Sequence, residues 1–221
     1  MSPRRAGRAR PGLSRDLVLR AAVEYADARG LERLNMRVLA GRLKAGVMSI
    51  YNHVASKDDL LDGMVDRVAA EIALPADETG WREAIFEVSV SAHGALMRHP
   101  WAAPLWTSRR PGPAKLAHLE SMLRILRTGG FSVAQACRGY HALSTHVVGF
   151  TLQTLDYPRT PRALRAAGQR FLASVDPEQI PYFAEHVRHH IDHPEPTNEF
   201  VFVLDLILDR LEHDLAEEGT P

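Results

Sequence analysis

Cysteine occurs once in 221 residues, as Cys137. An internal disulfide is excluded, and the lone thiol fits either a reducing cytoplasm or a buried, inert position. No apolar run reaches the roughly 18 residues needed to cross a bilayer. The basic opening "MSPRRAGRARPG" is followed by no apolar stretch, so it does not read as a secretory signal. The expected location is cytoplasmic. A Gly-rich phosphate loop, a G-x-S-x-G elbow and a C-x-x-C pair are all missing. An enzyme reading therefore has little to stand on, and no cofactor, catalytic residue or metal ligand is assigned. No stretch alternates well enough to predict a strand, and no internal repeat is visible. An apolar content of 45% excludes a mostly disordered chain.

What the sequence does have is an uneven charge distribution. The whole chain is formally neutral, yet residues 1–57 carry 12 Lys and Arg against 4 Asp and Glu. The remainder is acidic by the same margin of 8. A split of this kind points to a polyanionic partner at the basic end.

Helical punctuation runs along the chain. Ser14 is a natural N-cap for a helix to about Arg29, with Gly30 as its stop. Leu17, Ala21, Ala22, Tyr25 and Ala28 are its expected inner face. Asn35 caps a second helix through Leu43, with Met36, Leu39, Ala40 and Leu43 turned inward. Lys44, Ala45 and Gly46 form a tight break before a third helix from about Val47 to His53. Ser56 opens a fourth, running to about Ala73, and Ser56-x-x-Asp59 is close to a capping box. "LPADETG" reads as a linker. Further helices are predicted over Trp81 to Arg98, Pro100 to Arg109, Pro113 to Thr128, Ser132 to about Asp156, Pro177 to Ile191 and Thr197 to Ala216. The prolines suit first-turn positions. "YPRTPRALRAAGQRF" gives no firm assignment. The fold class is all-α. Residues 140–155 and 200–215 are apolar around much of their circumference, which suits core helices or helices shared between an internal core and a second subunit.

Two short helices joined by a three-residue turn make a helix-turn-helix. The second helix of such a pair lies in the DNA major groove, so it needs an apolar underside and a polar outer face. Ile50 and Val54, one turn apart, supply the underside. Met48, Ser49, Tyr51, Asn52 and His53 supply the outer face, while Val47 fits either side.

The stretch "SRDLVLRAAVEYADARGLERLNMRVLAGRLKAGVMSIYNHVASKDDLL" resembles the DNA-binding domain of the TetR (tetracycline-repressor) family. The shared pattern is Ala40-x-x-Leu43, a turn, Ser49-Ile50-Tyr51-x-His53-Val54, then Lys57-x-x-Leu60-Leu61. It covers about residues 14 to 70. From Trp81 onward, "LMRHPWAAPLW", "LRTGGFS" and "FVFVLDLILDRLE" resemble the ligand-binding and dimerisation domain of one branch of that family. The resemblance implies a basic arm over 1–13, a DNA-binding domain with its connecting helix over 14–73, and a ligand-binding and dimerisation domain over 79–217. It implies a homodimeric repressor that binds a palindromic operator and is released by a small molecule. An activator or a ligand-independent regulator with the same DNA head is one alternative, and a metal-dependent helical enzyme using the histidine cluster at 186–193 is a second, weaker one.

Residue roles follow from position in the pattern. Arg37, Val47, Met48 and Ser49 match base-facing positions. Tyr51, His53 and Lys57 match phosphate contacts, and Asn52 can bond either base or phosphate. The family usually has glycine where this chain has Lys44, so Gly46 is expected to take up the unusual backbone angle. Lys44 then becomes free to add a phosphate contact. An arm carrying Arg4, Arg5, Arg8 and Arg10 suits the minor groove, or a solvated tail.

Two more clusters remain. His186, His189, His190 and His193 include an i, i+4 pair of the kind that binds zinc, but the glutamate of an H-E-x-x-H site is missing, and an exposed helix end is the simpler reading. For an effector pocket the second half offers His93, Met97, Trp101, Trp106, Met122, His141, His146, Phe150 and Gln153. The same nine residues also fit a helical core with satisfied histidines.

Overall fold

The computed structural model describes residues 12–76, 79–158, 160–193 and 199–218. Arg4, Arg5, Arg8 and Arg10 lie outside the described residues. Within the described residues the chain forms ten α-helices and two short 3-10 turns, with no strand.

Three of the first four helices, α1, α2 and α4, are opened by a side-chain cap. Helix α1 is Arg15–Arg29, and Ser14 Oγ accepts from Leu17 N at 3.2 Å. Gly30 ends it at φ 84°, a backbone region open to glycine at little cost. Helix α2 is Met36–Leu43, and Asn35 Oδ1 accepts from the amides of Arg37 and Val38. Helix α3 is Val47–Tyr51. Helix α4 is Lys57–Ala69, and Ser56 Oγ accepts from Asp59 N at 3.1 Å. The return bond of the capping-box pattern goes one residue upstream, from Ala55 N to Asp59 Oδ2 at 2.8 Å.

The inner face of α1 differs from the expected one. Val18, Leu19, Ala21, Ala22, Val23 and Ala26 are buried, whereas Leu17 and Tyr25 are half-buried and Ala28 is exposed. The stripe is centred on Val18, Ala22 and Ala26 because α1 is covered by both α2 and α4, so the contact is wider and turned by about one residue. Helix α3 stops at Tyr51, two residues short of His53, and α4 stops at Ala69, although Ile72 beyond it remains buried.

The second half is larger. Helix α5 is Trp81–Arg98, α6 is Pro113–Thr128, α7 is Val133–Asp156, α8 is Pro161–Ser174, α9 is Pro181–Asp192 and α10 is Glu199–Glu218. Ser132 and Gln135 close a full capping box at the start of α7. The helix predicted over Pro100 to Arg109 is absent, replaced by turns around the 3-10 segment Ala103–Leu105. Pro104 cannot donate within an α-helix, and the segment closes through i→i+3 bonds such as Leu105 N to Ala102 O. Helix α9 starts four residues later than Pro177, because Asp176 caps a separate turn through Glu178 N. Cys137 is exposed on α7, not buried.

One continuous apolar core runs from the first four helices into α5, α6, α7 and α10. Helix α4 is the shared element, resting on α1 on one side and on α5 and α6 on the other. Helices α8 and α9 rest mainly on each other.

Candidate DNA interface and effector cavity

Helix α3 is held from beneath and left open above. Ile50 and Val54 are wholly buried, while Met48 is 75% exposed. Tyr51 and Asn52 are exposed, and Val47, Ser49 and His53 are half-buried. The exit of α3 is pinned by Arg15, whose guanidinium donates to the His53 carbonyl at 2.9 Å and to both oxygens of Asp59. That pair, helped by the Ala55 amide, holds the Asp59 carboxyl below the usual range against the opposing effect of burial.

The cations of this region fall into two groups. Arg15, Arg20, Arg42 and Arg67 are each paired with a carboxylate. Arg37, Lys44 and Lys57 are exposed and have no carboxylate partner among the described residues. Arg15, Arg42 and Arg67 fasten helices to each other, while Arg20 pairs with Asp16 within α1. Arg37 sits at the start of α2, Lys44 in the turn before α3 and Lys57 in the first turn of α4, while Arg29 and Arg33, also exposed and without a carboxylate partner among the described residues, lie at the end of α1 and in the 3-10 turn after it. The start of α4 adds the attraction of a helix N-terminus for anions.

The turn corrects one expectation. Lys44, not Gly46, takes the left-handed conformation, at φ 52° and ψ 41°. Gly46 is ordinary extended backbone at φ −70° and ψ 146°. The reason lies in how α2 ends: the Lys44 and Ala45 amides fold back onto carbonyls of Gly41 and Ala40, a left-handed cap that requires positive φ at Lys44 itself. For a non-glycine residue that conformation costs roughly 1 kcal/mol.

In the second half, the nine candidate pocket residues do not form one group. His93, His146 and Phe150 surround Phe200 of α10. The His93 ring stacks on Phe200 with centroids 4.2 Å apart, and the His146 ring does so at 4.6 Å. Thr151 Oγ1 donates to the Val147 carbonyl, so it accepts from His93 Nδ1 at 2.8 Å. His146 Nε2 donates to the Phe200 carbonyl at 2.9 Å. Burial lowers the pKa of both histidines; His146 lowers His93 further, and the Phe200 carbonyl partly offsets the shift at His146. These are satisfied core histidines. Trp101 is buried elsewhere, its indole donating to Asp27 of α1 at 2.6 Å. His141 and Gln153 are exposed, and Met97 is half-buried.

Only Trp106 and Met122 of the nine line an internal cavity, of about 20 Å³, between α5, α6 and α7. Its other walls are Ser89, Ala92, His118, Leu119, Tyr140, Ser144, Val147 and Val148. His118 and Ser89 were not among the sequence candidates. The signal for His118 was its place one turn before Met122 on α6. Its pKa is pushed down to about 4, first by burial and then by the Lys115 charge.

Two joints tie this region to the first four helices. His99 bridges Asp27 of α1 at 2.8 Å and Glu71, just past α4, at 3.0 Å. Burial alone would raise Glu71, but hydrogen bonds from Arg98 and His99 outweigh it and the carboxyl is held low. The second joint lies under the start of α6. Asp66 of α4 accepts from Lys115 N at 2.8 Å, and a Cβ on Gly112 would stand 2.4 Å from the Asp66 carboxyl carbon, so only glycine allows this approach. Arg109 reaches Asp58 of α4 at 2.5 Å. The Lys115 ammonium is buried, donates to the Trp106 carbonyl, and has its pKa lowered by burial against the attraction of Asp62 and Asp66.

On α9 the histidine rings pair along an exposed face, His186 with His190 at 4.5 Å and His189 with His193 at 4.6 Å. Among the described residues no three His, Cys, Asp or Glu side chains are grouped to hold a metal, and no helix is long and apolar enough to cross a membrane.

An all-α fold that presents α3 in this way, with a larger helical body behind it, defines a helix-turn-helix regulator. A family model described as "Tetracyclin repressor-like, C-terminal domain" matches residues 74–215. An HTH-type transcriptional regulator of Saccharopolyspora erythraea is 39% identical over 150 residues, covering 66% of this chain and 63% of that one. The HTH-type transcriptional repressor DrrR1 of Streptomyces coeruleorubidus is 37% identical over 143 residues, covering 63% of this chain and 53% of that one. The chain thus spans less than two thirds of the length of both relatives. Among solved structures, apo ActR from Streptomyces coelicolor matches at TM-score 0.78 and 27% identity over 96% of this chain and 100% of that one. ActR in complex with actinorhodin matches at 0.73 and 29%, over 95% and 99%. The protein belongs to the tetracycline-repressor family of transcriptional regulators, which are not enzymes.

Proposed function

We propose that this protein is a cytoplasmic, homodimeric repressor that binds a palindromic operator through α3 and releases it when a small molecule enters the second half. The observation that carries the reading is α3 itself: Ile50 and Val54 are fully buried while Met48, Tyr51 and Asn52 face outward. Residues 14–73 form the DNA-binding unit and residues 79–217 the regulatory and dimerisation unit. Val47, Met48 and Ser49 face the bases with Arg37, which can grip guanine O6 and N7 together. Tyr51, His53, Lys44 and Lys57 contact phosphates, and Asn52 bonds base or phosphate. The name of the repressor DrrR1 supports repression, and the actinorhodin complex of ActR supports the binding of a small molecule.

Dimerisation is supported by α10, where Leu204, Leu208 and Leu211 are buried within the chain while Phe202 is 64% exposed and Leu206 is also exposed. One side of α10 is left for a second copy. In the dimer, α4 sets the spacing of the two α3 helices, which must match half-sites about 34–36 Å apart or a multiple of that. An effector that prefers the mismatched spacing releases the DNA.

A gel-shift assay on the DNA upstream of the protein's own gene tests this. A palindromic site should be bound, with Arg37→Ala relaxing specificity at one base pair and Lys57→Ala weakening all sequences alike. Failure to shift any palindrome would defeat the repressor reading, and equal losses on every sequence for both variants would remove Arg37 from the base-reading set. Light scattering that shows a monomer would defeat the dimer.

A further inference from the structure

We propose that Ser89 and His118 form the polar end of the effector site and bind an uncharged hydroxyl, phenol or carbonyl group on an otherwise apolar, aromatic small molecule. The inference rests on the effector reading above and adds the chemistry of the effector.

Buried polar side chains in this half of the chain are mostly paired. His93 bonds Thr151, His146 bonds the Phe200 carbonyl, and Gln135 bonds the Asp214 carbonyl. Four buried polar atoms are exceptions, Ser89 Oγ, His118 Nδ1, Ser121 Oγ and Arg109 Nε, none with a hydrogen-bond partner among the described residues, and of these Ser89 and His118 stand together. Both line the same cavity. A buried polar atom without a partner is rare enough to need a cause, and two around one cavity point to a group that enters from outside the chain.

The surroundings select the kind of group. Trp106, Met122, Ala92, Leu119, Val147 and Val148 make most of the wall apolar, and Trp106 and Tyr140 give it aromatic character. A cation is disfavoured by the buried Lys115, one turn before His118 on α6. A carboxylate finds no free positive charge, because the Lys115 ammonium is already committed to the Trp106 carbonyl and faces Asp62 and Asp66. The low pKa of His118 agrees with a neutral ring that offers one donor and one acceptor.

The cavity of about 20 Å³ must widen to admit a ring. Leu119, Tyr140, Ser144 and Val148 are its half-buried walls, so it opens between α6 and α7. Movement of α6 pulls on the Asp66 joint to α4, which links occupancy to the DNA-binding half.

The test uses three probes of one carbon skeleton, naphthalene, 2-naphthol and 2-naphthoate, titrated calorimetrically into the full-length protein and its Ser89→Ala, His118→Leu and His118→Gln variants at neutral pH. Melting curves confirm that each variant is folded. Wild type should bind 2-naphthol at least about tenfold more tightly than 2-naphthoate, one unit of log K. Ser89→Ala and His118→Leu should each erase most of the preference for 2-naphthol over naphthalene, and His118→Gln should restore part of it. Equal or tighter binding of 2-naphthoate would overturn the proposal. An unchanged 2-naphthol preference in both Ser89→Ala and His118→Leu would also overturn it and leave Ser89 and His118 as a water site. Binding of none of the three probes would overturn the effector-cavity reading itself.

Discussion

The first four helices and the six that follow bury different kinds of side chain. Every buried polar or charged residue of the described chain, from Ser89 and His99 to His146 and Thr151, lies in the second half. In residues 12–76 the fully buried side chains are apolar and the ionic groups are exposed or half-buried. The first half is thus a rigid apolar wedge whose chemistry faces outward, as a reader of a large external polyanion requires. The second half carries its chemistry inside, as a reader of a small molecule requires. A buried polar network that is only partly satisfied is costly, and in the second half that cost is concentrated at the cavity and the joints, where movement is needed.

The sharpest way to break this contrast is to damage the wedge. Ile50→Ala removes a fully buried side chain beneath α3 and should cost about 2–4 kcal/mol in urea denaturation, whereas Met48→Ala, on the outer face, should change stability by less than about 0.5 kcal/mol while altering DNA sequence preference. Similar losses for both would show that α3 is not divided into an inner and an outer face.

The second test concerns the interior of the other half. His118 titrates at about 4 when folded and about 6.5 when unfolded. Between those values the unfolded chain binds the extra proton, so stability is full above pH 6.5 and falls as pH drops toward 4. The expected loss is about 3 kcal/mol. His118→Leu should flatten that slope in melts across the same range. An unchanged slope would show that His118 is protonated equally in both states.

A third, smaller effect lies at the joint. Asp27→Ala leaves His99 Nδ1 and Trp101 Nε1 without their acceptor and should cost about 1–3 kcal/mol. Hydrogen exchange should locate the added opening at α1 and the residues around His99. Exchange that rises only within α1 would mean that His99 does not tie the halves together.

The smallest effect is expected in the turn. Lys44→Gly relieves a left-handed backbone but makes the unfolded chain freer, so stability should change by less than about 1 kcal/mol. If Lys44 contacts a phosphate as proposed, affinity for DNA should nevertheless fall for all sequences alike. A loss confined to particular sequences would place Lys44 among the base readers.

Local signals made most of the helices legible. Ser14, Asn35, Ser56 and Ser132 cap as their chemistry dictates, and Gly30 stops α1. These are interactions between residues at most a few positions apart. The outward face of α3 was legible for the same reason. The segment after Pro100 misled because its apolar residues bury through 3-10 turns, and Pro104 prevents the α-helix that the pattern suggests. Residue type favoured Gly46 over Lys44 and misled, since the cap geometry at the end of α2 decides which of them turns left-handed. The cavity was the least legible part. His93 and His146 are satisfied by partners more than 50 residues away, and the pairing of helix faces that brings Ser89 to His118 is a tertiary event that no spacing records.

On the proposed function, the unpaired basic surface around α3 holds DNA. Fluorescence anisotropy of the full-length protein on its palindromic site, repeated across a salt series, tests it most directly. Log affinity should fall linearly with log salt, and Lys57→Ala should reduce the slope by about 1 while leaving the order of preferred sequences unchanged. A salt-independent affinity, or a slope unaltered in Lys57→Ala, would contradict it.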